Sequence, residues 1–184
     1  MIRTMNRTKR LLLTPGTMED LPALAEIDGE CGRYFAFDPP SGEHEDNHDC
    51  PLEECLTTGD IPPGVARQDY YRENYYFYCI RQGGALIGFL SYYLEYQRKD
   101  TAYLCVLYIR EACRSNGFGA EIVGALARDL AAAGVKTLKT HCSLRNALGL
   151  RFWVNNGFDR VTEVECTGNL YPGQFGGLGL MKSL

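Results

Sequence analysis

Six residues near the middle of the chain, Arg114-Ser115-Asn116-Gly117-Phe118-Gly119, have the form Arg-x-x-Gly-x-Gly, with Ala120 next. The chemistry this spacing offers is anion capture. Before it, Tyr103 to Ile109 is aromatic and β-branched and reads as a buried strand. After it, Glu121 to Ala133 carries Ile122, Val123, Leu126 and Leu130 at helical spacing, and Gly134 stops the helix. A strand therefore feeds a helix through a glycine turn. The first amides of a helix lack internal partners and sit at the positive end of its dipole. Gly117 and Gly119 have no side chains to keep a diphosphate away from those amides, and Arg114 could add charge-assisted donors. An ordinary tight turn can carry the same letters, so the rest of the chain must decide.

A second group with chemical potential lies in residues 29–64, which Pro39, Pro40, Pro51, Pro62 and Pro63 keep irregular. Glu43, Glu45, Asp46, Asp49, Glu53, Glu54 and Asp60 make it acidic, with no Lys or Arg among them. An acidic rim attracts cations, although a solvated insertion has the same composition. His44, Asp46, His48, Asp49, Cys50 and Cys55 are ligand-type residues, but their spacings match no common zinc pattern, and no metal is expected. The aromatics of Tyr70 to Ile80 read as sheet packing rather than base-stacking groups.

The chain has 184 residues and a formal charge of -4. That length favours one domain, 1–184, and that charge argues against a general nucleic-acid binder. No apolar run reaches membrane-spanning length. The eight cysteines form no Cys-x-x-Cys pair and read as reduced cytoplasmic thiols. Residues 1–10 are basic and read as a loose tail.

The elements that must position the turn can be read in chain order. Leu11 to Leu13 reads as a short strand, and Thr17 or Asp20 can cap a helix containing Leu21, Leu24 and Ile27. A short helix is expected over 52–56. Asn74 to Ile80 and Ala85 to Tyr96 read as a hairpin about Gly83-Gly84, with Gly88 a bulge or a close approach. Val135 to Cys142 is a strand parallel to the central one, because a helix crossover joins them. Asn146 to Asn156 is the last helix. Phe158 to Cys166 and Leu178 to Lys182 form a closing antiparallel pair about a mobile glycine-rich loop, 168–177.

The block Asn146-Ala147-Leu148-Gly149-Leu150-Arg151-Phe152-Trp153-Val154-Asn155-Asn156-Gly157-Phe158 supplies the missing context. With Arg114 to Gly119, it resembles the GNAT superfamily of acetyl-CoA-dependent N-acyltransferases. Their main signature is Arg/Gln-x-x-Gly-x-Gly/Ala after a strand. Their second is Asn, Ala and an aromatic pair on a helix closed by Gly-Phe. The resemblance runs from about Leu11 to Leu184 and is most specific in the centre. It implies an α/β fold of α+β type: a mixed, mostly antiparallel sheet of six to seven strands flanked by helices, its central parallel strands splayed.

The resemblance also implies a site. Pantetheine would pair with Leu107, Tyr108 and Ile109, and the diphosphate would rest on Arg114, Ser115, Asn116, Gly117, Phe118, Gly119 and Ala120. Asn146 and Trp153 would bound the thiol end. Residues 29–64 would border the acceptor. An amine would attack acetyl-CoA directly, with the Ile109 amide or a neighbour holding the oxyanion. Two departures stand out. Trp153 occupies the place of the tyrosine that many members use as general acid, and Tyr103 that of a strand glutamate used as base. Tyr103 and Glu95 are the catalytic candidates in its stead. His141 is a further group near the end of its strand, and Cys105, Cys113 and Cys142 read as ordinary thiols. The expected activity is acetyl transfer to a primary amine of a small molecule or peptide, with a cationic acceptor, no nucleic acid, no membrane and a homodimer left open. The alternative is an acyl-CoA-binding module or sensor with little turnover.

Overall fold

The computed structural model describes residues 7–35, 51–166 and 176–184, without the side chains of 31–35 and 166. Seven strands form one sheet: β1 Leu12–Pro15, β2 Tyr75–Gln82, β3 Ala85–Leu94, β4 Thr101–Ile109, β5 Thr137–Ser143, β6 Arg160–Cys166 and β7 Gly176–Ser183. Its order is β1-β2-β3-β4-β5-β7-β6. Four helices flank it: α1 Leu21–Phe35, α2 Leu52–Thr57, α3 Phe118–Ala132 and α4 Ala147–Asn155. Only β4 and β5 run parallel among the paired strands, as the α3 crossover requires. This is the mixed sheet expected from sequence, and the closing strand β7 inserts between β5 and β6.

Strands β2 to β4 are apolar on both faces because both faces are covered. One face packs Leu90, Tyr92, Ala102 and Leu104 against Ile122, Leu126 and Leu130 of α3 and Trp153 of α4. The other packs Phe77, Cys79, Phe89 and Tyr103 against Leu24 and Ile27 of α1 and Cys55 of α2. Each fully buried large side chain contributes roughly 1.5–3 kcal/mol, so the two-sided middle of the sheet is the rigid part of the molecule.

Two irregularities interrupt that rigid part. The β3–β4 ladder pairs Ser91 with Val106 but Tyr92 with Leu104, leaving Cys105 as an extra residue. Cys105 and Val106 consequently pack toward the same face, beside Tyr103 and Tyr108. A bulge bends its strand and sharpens the twist. The β4–β5 pairing is confined to Thr101–Tyr103 with Thr137–Lys139, ending just before this bulge. From there β4 continues to Ile109 and β5 to Ser143 without pairing, and the two open as a fork.

Gly83 and Gly84 turn the β2–β3 hairpin with φ of 56° and 90°, the conformation that a two-residue turn needs. Gly88 is a close approach: a Cβ there would meet the Tyr108 carbonyl oxygen at 2.1 Å. That contact is with backbone in the central strand, so it cannot be relieved by a side-chain rotation. Gly88→Ala is expected to destabilise the protein by about 2 kcal/mol through overpacking, read as a lower urea midpoint with an unchanged slope.

Candidate active site

The glycine turn is held from two sides. After β4, Arg110 Nε donates to Glu30 Oε1 (3.0 Å) and the Glu111 amide donates to Glu30 Oε2 (3.1 Å), tying the strand end to α1. Gly117 is the residue before α3 and has φ 76°, a left-handed conformation that glycine adopts without strain. The first intrahelical bond runs from the Glu121 amide to the Gly117 carbonyl (3.0 Å). The amides of Phe118, Gly119 and Ala120 therefore precede the helical ladder and point out of its end. Gly119 has an additional reason to be glycine, since a Cβ there would press on the Phe152 ring of α4 at 3.0 Å.

The charged group on this turn is Arg10 rather than Arg114. Arg114 folds back: its Nε donates to the Ile109 carbonyl (2.7 Å), and its guanidinium lies 4.8 Å from the Tyr108 ring centre. Arg10 instead reaches the turn from the segment ahead of β1. Its Nη1 donates to the Asn116 carbonyl (2.9 Å), and its guanidinium covers the Phe118 ring at 4.5 Å. Glu121, in the first turn of α3, fixes it there. Glu121 accepts from the Thr8 hydroxyl (2.5 Å), the Arg10 amide (2.8 Å) and Arg10 Nε (2.6 Å). Thr8 and Arg10, read from sequence as part of a loose tail, are thus anchored; residues 1–6 lie outside the described residues.

Burial alone would raise the Glu121 pKa. The hydrogen bonds from Thr8 and Arg10 outweigh it and hold the carboxyl at about 2. A depressed folded-state pKa contributes stability above the unfolded value, and that contribution is lost as pH falls toward 2. Glu121→Gln is expected to cost about 1 kcal/mol at neutral pH after solvent screening. Thermal unfolding should show the gap to the parent protein closing as pH drops from 4.5 to about 2.

Beyond the turn lies the fork. Residues Thr101–Leu104 of β4 are buried, whereas Cys105–Leu107 are half-buried, so the strand opens where β5 leaves it. The base of the fork is braced by the Thr140 hydroxyl, which donates to the Leu104 carbonyl (3.0 Å). Leu107 and Ile109 lean toward the α3 side, and Tyr108 toward the α1 side.

On the α1 side the fork base opens into a cleft of about 270 Å³. Tyr103 and Tyr96 form one wall, their rings 4.6 Å apart. Lys139 and His141 come from β5, and Glu163 and Glu165 from β6. Burial, reinforced by the acidic groups around it, pushes the Tyr103 phenol well above its usual range. Burial and then Glu163 push Tyr96 up to about 12. Both phenols therefore remain protonated near neutrality and act as donors. Cys105, its sulfur turned toward the Tyr103 carbonyl (3.8 Å), is likewise raised well above a free thiol by burial and then by Asp60, so it is no ready nucleophile. Tyr75 and Ser91 add two buried hydroxyls with no hydrogen-bond partner of good geometry, although each lies within the other's electrostatic reach.

The cleft floor is built from glycines. β7 lies between β5 and β6, and its register sets Gly179 beside both His141 and Glu163, and Gly177 beside both Ser143 and Glu165. A Cβ on Gly177 would meet the His141 ring at 2.1 Å. The ring thus lies over that glycine, and its Nε2 comes within 3.3 Å of Glu165 Oε2. Glu163, Glu165 and the two glycines are the site residues that sequence reasoning missed. Gly177-x-Gly179 and Glu163-x-Glu165 were visible as alternations, but only the register brings them together.

Other expected residues sit elsewhere. Glu95 is exposed at φ 57° on the β3–β4 turn and does not line the cleft. Asn146 caps α4, its Oδ1 accepting from the Gly149 amide (2.8 Å). Trp153 is 9 % exposed and packs edge-on against Phe152 and Phe158 in the α3–α4 core. The candidate metal ligands His44, Asp46, His48, Asp49 and Cys50 lie outside the described residues or at their edge, as do Glu43, Glu45 and the loop 167–175.

The sequence profile of the acetyltransferase (GNAT) family matches residues 37–158. The chain belongs to the GNAT family. It is accordingly an acyltransferase. No curated protein sequence matches it. Several solved structures share the GNAT fold. An acetyltransferase from Thermus thermophilus is 21% identical with a TM-score of 0.66, over 96% of this chain and 99% of that one. PaiA N-acetyltransferase from Thermoplasma acidophilum, solved with coenzyme A, is 18% identical with a TM-score of 0.58, over 95% and 99%. The ribosomal-protein-S18-alanine N-acetyltransferase from Escherichia coli is 16% identical with a TM-score of 0.60, over 94% and 93%. Within this GNAT chain, the described residues include no helix long and apolar enough to cross a membrane.

Proposed function

We propose that the protein transfers an acetyl group from acetyl-CoA to a cationic primary amine by direct attack. The observation that carries this reading is the alignment of three features along one path. The glycine turn presents outward amides, β4 opens beside it, and an acid-bearing cleft lies at the fork base. A diphosphate suits the first, because helix-end amides and the Arg10 guanidinium complement its charge. Pantetheine suits the second, since an extended amide chain can satisfy the unpaired backbone of Leu107, Tyr108 and Ile109. The amine suits the third.

Each reacting group has a partner along that path. The amine lone pair attacks the thioester carbonyl carbon, and its oxygen becomes an oxyanion. A β4 amide near Ile109 would receive that oxyanion. The C–S bond then breaks, and the amine's remaining excess proton neutralises the thiolate. Tyr103 and Tyr96 remain protonated and serve as donors that order the acceptor or a water in the cleft. An acyl-cysteine route finds no support, because burial holds Cys105 in its thiol form. The acceptor faces Glu163 and Glu165 against Lys139, a local excess of negative charge that favours an ammonium ion. The α2 residues Glu53 and Glu54 are exposed on the same side of the sheet and extend that field.

Calorimetric titration with acetyl-CoA and desulfo-CoA, followed by thiol-release assays on a panel of primary amines, tests the reading. Micromolar binding with amine-dependent thiol release supports it. Binding with no release from any amine would favour the acyl-CoA sensor. No binding at millimolar ligand would overturn both.

A further inference from the structure

The cleft contains a group that the reaction needs and that no motif of the family supplied. An alkylamine arrives as an ammonium ion, with a pKa near 10, and must lose a proton before its lone pair can attack. The usual base position on β4 is occupied by Tyr103, which remains protonated and cannot accept that proton. Glu95 is not part of the cleft lining. What remains facing the cleft from each element is Lys139 and His141 on β5, Glu163 and Glu165 on β6, Tyr96 on the β3–β4 turn, and Tyr103 on β4. Asp60, from the segment after α2, adds its charge near Tyr103.

We propose that His141, oriented by Glu165 across Gly177, takes the proton from the incoming ammonium, while Glu163 holds that ammonium at the cleft. This deepens the amine-acetyltransferase reading and rests on it. His141 lies on β5 just past its last rung with β4, on the cleft side of the fork base. Its Nε2 faces Glu165 Oε2 at 3.3 Å, so an Nε2–H donated to the carboxylate leaves Nδ1 as the acceptor. Gly177 is the condition for this arrangement, since any Cβ there would occupy the space of the ring. Gly179 plays the same part for Glu163, whose own Cβ lies 3.0 Å from where a Gly179 Cβ would be.

The proton balance closes without a co-reactant. The ammonium N–H bond breaks and its proton passes to His141 Nδ1, making an imidazolium beside the Glu165 carboxylate. The freed lone pair forms the C–N bond, and the C–S electrons leave on sulfur. The second amine proton goes to that sulfur, and His141 returns its proton to solvent. Glu165 is a positioning residue: it acts through the imidazole.

The test compares two small acceptors, n-butylamine and methoxyamine. The first arrives protonated at neutral pH, and the second arrives as the free base and needs no proton acceptor. His141→Gln is expected to lower kcat for n-butylamine about 100-fold and to leave methoxyamine within about threefold, with desulfo-CoA affinity unchanged. Glu165→Gln should give the same asymmetry, smaller at about tenfold, and supplies the test if His141→Gln does not fold. Equal losses with both amines, or none with either, would overturn the His141 assignment while leaving the acetyltransferase reading intact. Desulfo-CoA binding without turnover of either amine by the parent protein would overturn the amine reading and the assignment together.

Discussion

Replacing Gly117 with glutamate is expected to weaken acetyl-CoA binding at least about a hundredfold. Gly117 has φ 76° and is exposed at the start of α3, where the outward amides of Phe118, Gly119 and Ala120 begin. A glutamate there would place a carboxylate where the diphosphate belongs, add like-charge repulsion, and compete for the same amides. It would also force a β-carbon into the left-handed region at a cost of about 1–2 kcal/mol. Gly117→Ala separates the two effects. It carries the conformational cost without the charge, and only a few-fold loss of affinity is expected. Calorimetry on both variants, with thermal unfolding as the control for folding, reads the difference. Unchanged affinity in Gly117→Glu would mean that the turn binds no phosphate.

The second large effect is expected at Gly177. Valine at this position should cut kcat for a strongly basic amine about 100-fold while leaving desulfo-CoA affinity within about twofold. A Gly177 Cβ would meet His141 Cε1 at 2.1 Å and Nε2 at 2.2 Å, so the ring must leave Glu165 and swing off the cleft floor. Valine is a favoured strand residue, and β7 is hydrogen-bonded on both sides, so the sheet gains propensity while the cleft loses its histidine. Gly124→Ala is the matched control. Gly124 sits mid-helix in α3, where its Cβ would meet only the tip of Arg128 at 3.6 Å, and alanine there favours the helix. Full activity in Gly177→Val would show that the imidazole has no part in turnover.

These two glycines mark the boundary between what pattern and packing each decided. Gly117 was legible in the sequence. Its neighbours alternate as a strand, its followers repeat as a helix, and a left-handed residue between them is a local requirement. The same local logic recovered the hairpin at Gly83-Gly84, the close approach at Gly88 and the end of α3 at Gly134. Element types follow from periodicity because each element must bury one face, and periodicity reports that face directly. Family membership was legible for the same reason: the phosphate turn and the α4 block are continuous stretches.

Gly177 was legible only as part of a glycine-rich tail. Its meaning depends on β7 entering the sheet between β5 and β6, which sets His141, Glu163 and Glu165 around it from the two flanking strands. No local rule encodes that register. Side-chain direction was equally out of reach. Arg114 was the natural phosphate contact by position, yet its guanidinium folds onto Tyr108 and the Ile109 carbonyl. Arg10 takes its place because Glu121 holds it there from 111 residues away in the chain, with Thr8 bonded to the same carboxylate. The sequence by itself therefore determined the elements, the family and the place where a diphosphate can bind, since each depends on neighbours along the chain. The tertiary structure decided which charge covers the turn, how far β4 and β5 part, and which groups face the acceptor. Those outcomes depend on strand order, a one-residue bulge and long-range ion pairing, none of which leaves a local trace.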